Sequence, residues 1–348
     1  MSGKRIDSLS ADARVAIVRL SALGDVIHAL PAVMQLRKAI PAGSIDWLCS
    51  PAAHRLLSVF DIADRVRVVD IRHRPLLKTI GELRNLRRGN HLPYSLVIDF
   101  QGLIKSAVIA RLAGKKVLGF HNRDLREPLA ALAYTFQAEK WTGNRHVIHK
   151  NLHLLSALGV EGEQIRYPEI AEATESHRVR SFIANLSPGQ SGFAVINTGA
   201  GWPTKTPPPD LLVALGTWLK TKLPAVLLWG TESERKVALE IAAETGIPLA
   251  PETDFPELIS LMQKARFIIS GDTLALHLAD AAGTPSIGLF GPTSPERNGS
   301  LMAASRSVVA EVDCRYCYRR ECGKNNCMAR IPLEKVKSAV SEVLRESG

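Results

Sequence analysis

Short apolar segments alternate along this chain with longer stretches in which apolar residues recur at helical spacing. The segments that have the length of buried strands are 15–19, 45–49, 66–69, 96–100 and 116–120 in the first half, then 193–198, 226–229, 267–270 and 286–290. Stretches with helical periodicity, such as 31–39, 259–262 and 277–282, lie between many of them. Strands that alternate with helices are typical of βαβ units. The pattern therefore predicts an α/β fold with parallel sheets.

The length of the chain and a break in this pattern predict two domains. A chain of 348 residues exceeds one typical hydrophobic core. Gly159, Gly162 and Pro168 interrupt the periodicity, and the second half restarts with its own strand. We predict a first domain over residues 1–168, a second over 169–330, and a terminal amphipathic helix in 331–348 that crosses back to the first domain.

A strand, a tight turn and a helix are predicted around Asp25. The segment Arg19-Leu-Ser-Ala-Leu-Gly-Asp25 directly follows the first strand. Ligands of open α/β sheets bind at such turns, and Gly24 permits close approach of the backbone. The Asp25 carboxylate suits a general base. It also suits the N-cap of a helix starting near Val26, which the spacing alone favours. Ser21 suits a cap or a phosphate contact.

The second half contains a similar turn, Ser270-Gly-Asp272-Thr273, after the strand 267–270. The Thr273 hydroxyl and the N–H groups of the helix that follows suit a phosphate. Asp272 suits a helix cap or the hydroxyl groups of a ribose or another sugar. His277 lies one turn further on, where it is either a core residue or a ligand contact.

Two further loops follow predicted strands of the second half. Asn197-Thr-Gly-Ala-Gly-Trp-Pro-Thr-Lys205 is rich in glycine, and Lys205 offers a positive charge to a diphosphate. This loop fits neither the P-loop nor the dinucleotide-binding fingerprint, so a surface loop is the alternative. Glu232 and Glu234 suit the hydroxyls of a ribose or the first turn of a helix.

The positive charge of the chain lies in its first half. Residues 1–165 hold 24 Lys and Arg against 14 Asp and Glu, whereas residues 166–348 hold 20 of each. The main cluster comprises Arg65, Arg67, Arg72, Arg74, Lys78, Arg84, Arg87 and Arg88. Such a half attracts an anionic partner, and Lys105, Arg126 and His146 suit an acidic acceptor. The alternative for the cluster is a solvated helix face. The segment 65–88 has no aromatic residue for base stacking, which argues against nucleic acid.

Four cysteines near the end, Cys314, Cys317, Cys322 and Cys327, have the spacing C-x2-C-x4-C-x4-C. They suit either a structural zinc site or reduced thiols packed in a loop. Disulfides are not expected, because the chain has no apolar run near the roughly 20 residues of a membrane span and no apolar leader. We expect a cytoplasmic protein.

Taken in order, these segments resemble glycosyltransferase family nine, the ADP-heptose:lipopolysaccharide heptosyltransferases. The resemblance runs from Val15 to Val343. It is carried by the segments Ser21–Pro31, Ile98–Ser106, Arg126–Ala130, Gly199–Lys205, Asp272–His277 and Phe290–Thr293. The segments around Lys105 and Arg126 are most similar to the heptosyltransferase I members. The triple proline 207–209, Leu274 and the four cysteines depart from that pattern, and the cysteines are more like heptosyltransferase II.

The resemblance implies a GT-B fold, in which two Rossmann-like doubly wound domains face each other across a cleft. It implies an inverting transfer of heptose from ADP-heptose to Kdo, with Asp25 as the general base and no catalytic metal or cofactor. The implied donor-binding residues are Ser21, Gly24, Ala200, Gly201, Lys205, Glu232, Glu234, Asp272, Thr273, Leu274 and His277. Lys105, Arg126 and His146 are implied to bind an anionic Kdo-lipid A acceptor at the inner face of the cytoplasmic membrane.

Three alternatives remain open. The first is heptosyltransferase II or another family member that uses a different sugar nucleotide or acceptor. The second is a basic nucleic-acid-binding protein with a zinc module. The third is a nucleotide-binding protein without catalytic activity.

Overall fold

The computed structural model describes residues 9–71, 80–81, 83, 93–143, 145–162, 164–170, 176–186, 192–323 and 327–346. The chain forms two compact units, Met1–Ala171 and Glu172–Gly348. Each unit is built on one parallel sheet with helices, so the α/β fold predicted from the pattern is confirmed.

The sheet of the first unit has six parallel strands. They are β1 (Arg14–Val18), β2 (Ser44–Cys49), β3 (Arg65–Val68), β4 (Leu96–Asp99), β5 (Val117–Gly119) and β6 (Phe136–Gln137), in the order β3-β2-β1-β4-β5-β6. This order is that of a doubly wound dinucleotide-binding sheet, with its switch point between β1 and β4. The apolar residues of β1 are buried because the strand is central and both faces of the sheet are covered.

Within the described part of the first unit, four α-helices and two short 3₁₀ helices have bounds that can be given. They are α1 (Leu23–Ala39), α2 (Pro51–Leu57), α3 (Ile104–Ala113) and α4 (Val147–Ser156), with 3₁₀ helices at Asn122–Asp124 and Pro128–Ala133. Helix α1 starts eight residues before the periodic segment that predicted it. Its first turns are buried on several sides, so they show no amphipathic pattern. Pro31 lies inside the helix and removes one backbone hydrogen bond without ending it.

The sheet of the second unit has five parallel strands. They are β7 (Ala194–Asn197), β8 (Ala225–Leu228), β9 (Phe267–Gly271), β10 (Ser286–Phe290) and β11 (Arg306–Val309), in the order β11-β10-β9-β7-β8. Counted within the unit, this is the order 2-1-3-4-5 of the other common doubly wound sheet, with its switch point between β7 and β9. The two units are therefore both Rossmann-like, but their strand orders differ.

The helices of the second unit lie between and after these strands. They are α5 (His177–Leu186), α6 (Pro209–Leu219), α7 (Glu232–Thr245), α8 (Phe255–Lys264), α9 (Leu274–Ala282), α10 (Pro295–Asn298) and α11 (Leu333–Glu346). All nine predicted strands are present, each within one residue of the predicted ends. The prediction missed β6, which has two residues, and β11, an edge strand without a continuous apolar run.

The terminal helix α11 packs within the second unit. Its buried residues Val336, Ala339, Val340 and Val343 belong to the same apolar cluster as Leu215 of α6 and Val308 of β11. The apolar stripe that suggested a return to the first domain is therefore covered by the second sheet and its helices. No helix among the described residues is long and apolar enough to cross a membrane.

Candidate functional site

The switch point of the first sheet brings two of the predicted motifs together. The loops that leave β1 and β4 are joined by hydrogen bonds. The Arg19 guanidinium donates to the carbonyl oxygen of Phe100, and the Leu20 N–H donates to Oε1 of Gln101 at 2.8 Å. The segment that carries Asp25 and the segment that leads to Lys105 are therefore neighbours, although about 80 residues separate them in sequence.

Asp25 is the third residue of α1 and not its N-cap, so the interpretation that spacing alone favoured is wrong. The N-cap is Ala22, whose N–H donates to Oδ2 of Asp25 at 3.3 Å. The same oxygen is 2.9 Å from the Arg19 guanidinium, which is 9% exposed, whereas the Asp25 side chain is 41% exposed. A buried cation thus orients a carboxylate that remains open to solvent. Ser21 and Gly24 flank this residue and are half-buried.

Asp99 at the end of β4 is a buried carboxylate beside the candidate site that the pattern did not single out. It is fully buried. Its Oδ1 accepts the N–H groups of Gln101 and Gly102, and its Oδ2 accepts the hydroxyls of Ser106 and Tyr134 at 2.9 and 2.8 Å. Burial raises the pKa of Asp99, and these hydrogen bonds oppose that rise. Four donors on one carboxylate fix the turn from β4 into α3. A carboxylate at a strand end was the available signal.

The predicted acceptor residues divide into two exposed cations and one buried histidine. Lys105 lies in the first turn of α3, and Arg126 lies just before the second 3₁₀ helix. Their segments meet, because the Ile104 N–H donates to Oε2 of Glu127 at 2.8 Å. His146 is buried as the N-cap of α4, where its Nδ1 accepts the Ile148 N–H. Lys105 and Arg126 therefore form a pair of accessible cations.

Two members of the main basic cluster, Arg65 and Arg67, are among the described residues. Arg65 is exposed. Arg67 donates to Oδ2 of the buried Asp46 at 2.8 Å, together with Tyr94, so its charge is used inside the fold. The remaining members, Arg72, Arg74, Lys78, Arg84, Arg87 and Arg88, lie outside the described residues.

The switch point of the second sheet is held by side-chain hydrogen bonds between β7 and β9. Nδ2 of Asn197 at the end of β7 donates to Oγ of Ser270 at 3.0 Å and to Oγ1 of Thr273 at 3.2 Å. Thr273 is the N-cap of α9, and its side chain accepts the Ala275 N–H. The predicted helix start is therefore confirmed, with Thr273 as the cap in place of Asp272. Leu274 is the first residue of α9 and is half-buried.

Asp272 is the centre of a buried ionic network in this unit. Its Oδ2 accepts from Nζ of Lys205 at 2.8 Å and from Nδ2 of Asn298 at 3.0 Å, and its Oδ1 lies 3.1 Å from Nε2 of His277. Burial opposes ionisation of Asp272. The hydrogen bond and charge of His277, together with those of Lys205, outweigh burial and hold the pKa of Asp272 far below its usual range. The carboxylate is therefore a fixed anion that positions the Lys205 ammonium and the His277 ring at the strand end.

The glycine-rich loop approaches this network closely. Lys205 ends a short 3₁₀ helix, Pro203–Lys205, and its ammonium lies 4.3 Å from the centre of the Trp202 ring. A Cβ on Gly271 would come within 2.7 Å of the Lys205 carbonyl oxygen, so only glycine allows this approach. Ala200 and Gly201 lie on the same loop, half-buried and exposed respectively.

Glu234 closes the neighbouring turn after β8. Its Oε2 accepts the N–H groups of Gly230 at 2.8 Å and Thr231 at 3.0 Å, which is a capping-box arrangement at the start of α7. A Cβ on Gly199 would lie 2.0 Å from the carboxyl group of Glu234, so the two loops are in contact. Glu232 is exposed. The helix-start interpretation holds for Glu234, and its position beside the glycine-rich loop is compatible with a ribose contact.

The four terminal cysteines follow β11. Cys314, Cys317 and Cys322 are exposed, and Cys327 is half-buried. Burial and the neighbouring thiols raise the pKa of Cys327. Among the described residues, which exclude 324–326, no three His, Cys, Asp or Glu side chains form a group that could hold a metal ion. The zinc site remains a prediction.

Comparison with known proteins identifies the family. The profile of glycosyltransferase family 9 (heptosyltransferase) matches residues 83–328. Lipopolysaccharide heptosyltransferase 1 of Pseudomonas aeruginosa is 30% identical over 317 residues, which cover 89% of this chain and 87% of that protein.

Solved structures agree with this result. The structure of E. coli heptosyltransferase WaaC with ADP superimposes with a TM-score of 0.75 at 26% identity, covering 95% of this chain and 99% of that one. The structure of WaaC with ADP-2-deoxy-2-fluoro heptose gives a TM-score of 0.73 at 26% identity, covering 94% and 99%. The two Rossmann-like units described above are accordingly those of the GT-B class, as the resemblance implied.

Proposed function

Because the chain belongs to glycosyltransferase family 9, the heptosyltransferases, we propose that it transfers heptose from ADP-heptose to a Kdo residue of the inner-core lipopolysaccharide, with inversion at the anomeric carbon. The exposed Asp25 carboxylate at the first switch point is the observation that carries this proposal. It is oriented by a buried guanidinium and has solvent access for a hydroxyl group.

The donor binds at the second switch point in this proposal. The diphosphate of ADP-heptose lies against the N-terminus of α9, where the Thr273 hydroxyl and the positive end of the helix dipole favour an anion. An ammonium group has three N–H donors, and the carbonyl and carboxylate oxygens of Asp272 accept two from Lys205. The third is directed to the diphosphate. Glu234 or Glu232 accepts from the ribose hydroxyls, and His277 contacts the heptose or a phosphate.

The acceptor reacts at Asp25. The Asp25 carboxylate removes the proton from a Kdo hydroxyl, and the resulting oxygen attacks the anomeric carbon of the heptose. The bond from that carbon to the diphosphate breaks on the opposite face, and ADP leaves with the electron pair. Lys205 and the helix N-terminus stabilise the charge on the leaving diphosphate, so this scheme needs no metal. Lys105 and Arg126 bind the carboxylates and phosphates of the acceptor.

Release of ADP from ADP-heptose, with and without Kdo-lipid A, tests this proposal. Wild type should release ADP only when the acceptor is present, and Asp25→Ala should lose that release while still binding ADP. Acceptor-dependent release at a normal rate in Asp25→Ala would show that Asp25 is not the base. Absence of release in wild type would reject this donor and acceptor pair.

A second candidate is transfer to the next heptose position, or use of another sugar nucleotide. It is favoured by Leu274, which places a branched side chain at the first residue of α9 beside the proposed diphosphate site. The same assay distinguishes the two candidates when heptosylated acceptors and other sugar nucleotides replace the first pair. In either case the acceptor is a membrane glycolipid, so we place the enzyme at the inner face of the cytoplasmic membrane.

A further inference from the structure

Helix α3 and the 3₁₀ helix Pro128–Ala133 present an unusual number of apolar side chains to solvent. Of the eight large apolar side chains that are exposed among the described residues, four lie on these two elements. They are Ile104 at 44%, Val108 at 50%, Leu129 at 67% and Leu132 at 85% exposed. Leu132 is the most exposed of the eight. Scattered apolar residues are normal on a protein surface, but a group of them on neighbouring elements indicates an interaction site.

The spacing of these residues places them in two pairs. Ile104 and Val108 are four residues apart on α3, so they share one face of that helix. Leu129 and Leu132 are three residues apart in a 3₁₀ helix, which has three residues per turn, so they are eclipsed. The two elements pack against each other, and the Ile104 N–H donates to Glu127 beside the start of the 3₁₀ helix. We call these four residues the apolar patch.

Positive charge is concentrated in the same segment of the chain as the apolar patch. Residues 103–134 hold six basic residues, Lys105, Arg111, Lys115, Lys116, Arg123 and Arg126, against two acidic residues, Asp124 and Glu127. All six basic side chains are exposed. The two acids are both used in the fold, because Asp124 accepts the Trp141 N–H and Glu127 accepts the Ile104 N–H. The segment thus combines the exposed apolar patch with an excess of exposed positive charge.

We propose that the apolar patch docks the first unit onto the surface of an anionic phospholipid bilayer. The leucines enter the interface between headgroups and acyl chains, while Arg111 and Arg123 bind lipid phosphates. Charge complementarity favours this occupant over a second copy of the chain, which would bring two positive surfaces together. The inference deepens the proposed function and rests on it for the source of the membrane. It places the bilayer beside the two cations proposed to bind the acceptor.

Binding to vesicles that contain no glycolipid acceptor tests the surface by itself. Wild type should sediment with vesicles of phosphatidylglycerol and phosphatidylethanolamine and bind far less to neutral phosphatidylcholine vesicles. Leu132→Glu and Val108→Glu should each weaken binding to the anionic vesicles about tenfold or more, because they remove apolar burial and add charge of the wrong sign. Leu239→Glu is the matched control. Leu239 is 46% exposed on α7 of the second unit, and its substitution should leave binding unchanged.

A second variant at the same position should keep or strengthen membrane binding. Leu132→Trp should bind at least as tightly as wild type, since tryptophan favours the membrane interface, and its fluorescence should shift to the blue when vesicles are added. Equal binding by wild type and Leu132→Glu would overturn the proposal. So would binding that appears only when Kdo-lipid A is present, or a wild-type dimer that Leu132→Glu converts to monomer.

Failure of this inference can be told apart from failure of the proposed function. ADP release with a water-soluble, deacylated Kdo acceptor does not require a membrane, so wild type and Leu132→Glu should give the same rate. If neither releases ADP while wild type still binds anionic vesicles, the transfer reaction is wrong and the surface stands. If both release ADP and wild type binds no vesicles, the surface is wrong and the reaction stands.

Discussion

The two switch points carry aspartates in contrasting environments. Asp25, in the first unit, has one ion pair and 41% of its side chain exposed. Asp272, in the second, is 3% exposed and contacts a lysine, a histidine and an asparagine. A group that exchanges a proton with substrate needs an open oxygen, whereas a group that positions cations is most effective when every oxygen is occupied. In the proposed mechanism, the same place in the topology therefore carries the reacting group in one unit and a positioning group in the other.

Replacement of the open carboxylate should affect turnover and spare stability. We expect Asp25→Asn to lower kcat by about 10²–10⁴-fold, the usual contribution of a general base. Its free energy of unfolding should change by less than about 1 kcal/mol, because the Asp25 side chain is 41% exposed and the amide oxygen of Asn can still accept from Arg19. Steady-state kinetics and urea unfolding measure the two effects. Asp210→Asn, an exposed acid in the first turn of α6, is the control. A large loss of stability in Asp25→Asn would show that Asp25, like Asp272, has a structural role.

Removal of one hydrogen-bond partner of the buried Asp272 carboxylate should have its main effect on stability. Lys205→Met leaves Asp272 buried with less compensation, so we expect the free energy of unfolding of the second unit to fall by about 3 kcal/mol. Urea unfolding followed by tryptophan fluorescence measures this change. Lys222→Met is a matched control, because the Lys222 ammonium lies 5.9 Å from the Trp218 ring centre and its side chain is exposed. Equal effects of the two substitutions would show that the network contributes no net stability.

A third carboxyl group, on the helix that begins at the second switch point, should make stability depend on pH. Asp280 of α9 accepts from Oγ of Ser300 at 2.6 Å. Burial raises the pKa of Asp280 to about 6, against the opposing effects of Ser300 and His277. The folded protein therefore holds this proton more tightly than the unfolded chain. The stabilisation is complete below about pH 4 and is lost as the pH rises through 6.

Asp280→Asn should remove this dependence. At pH 8 we expect the variant to be more stable than wild type by up to about 3 kcal/mol, given a shift of roughly two pKa units. The difference should disappear near pH 4. Thermal unfolding across this range measures it. A variant that is less stable than wild type at pH 8 would contradict the predicted sign.

The smallest expected effect is that of a chelator. Both oxygens of Asp272 are occupied by protein donors, and Lys205 supplies the positive charge at the proposed diphosphate site. We therefore expect EDTA to leave the rate of ADP release unchanged. Loss of activity with EDTA, restored by a divalent cation, would show that a metal acts at the donor site.

Zinc content per chain, compared between wild type and Cys317→Ser, separately tests the predicted cysteine site.

The strands and the motifs were accessible from the sequence, because each depends on residues close together in the chain. Buried strands such as 225–228 are continuous apolar runs, and the turns that lead to Asp25 and Thr273 directly follow strands. The roles of individual residues within the motifs were harder to predict from the sequence. Asp25 looked like an N-cap, since nothing in the local pattern showed that α1 begins two residues earlier at Leu23.

Pairs that are distant in sequence could not be predicted in the same way. The contact of Lys205 with Asp272 spans 67 residues, and that of Arg19 with Phe100 spans 81. Such contacts depend on which strands are neighbours, and the two units order their strands differently. The pattern of apolar residues predicts where the strands lie in the sequence but not their order in the sheet. For this reason the position of Asp99 at a strand end did not reveal its role, which depends on Tyr134 from a later segment.

The strand orders also constrain how the chain folds during synthesis. In the first unit the centre of the sheet pairs Val15 with Leu96, and in the second it pairs Ala194 with Phe267. Each central strand leaves the ribosome long before its second neighbour exists. Until then one edge of this strand has unpaired backbone groups, which can pair with strands of other chains. Parallel pairing over such separations is slow, because a long loop must close before any contact forms. A pause in translation before residue 96 would therefore favour aggregation, whereas a pause after residue 171 would release a complete first sheet.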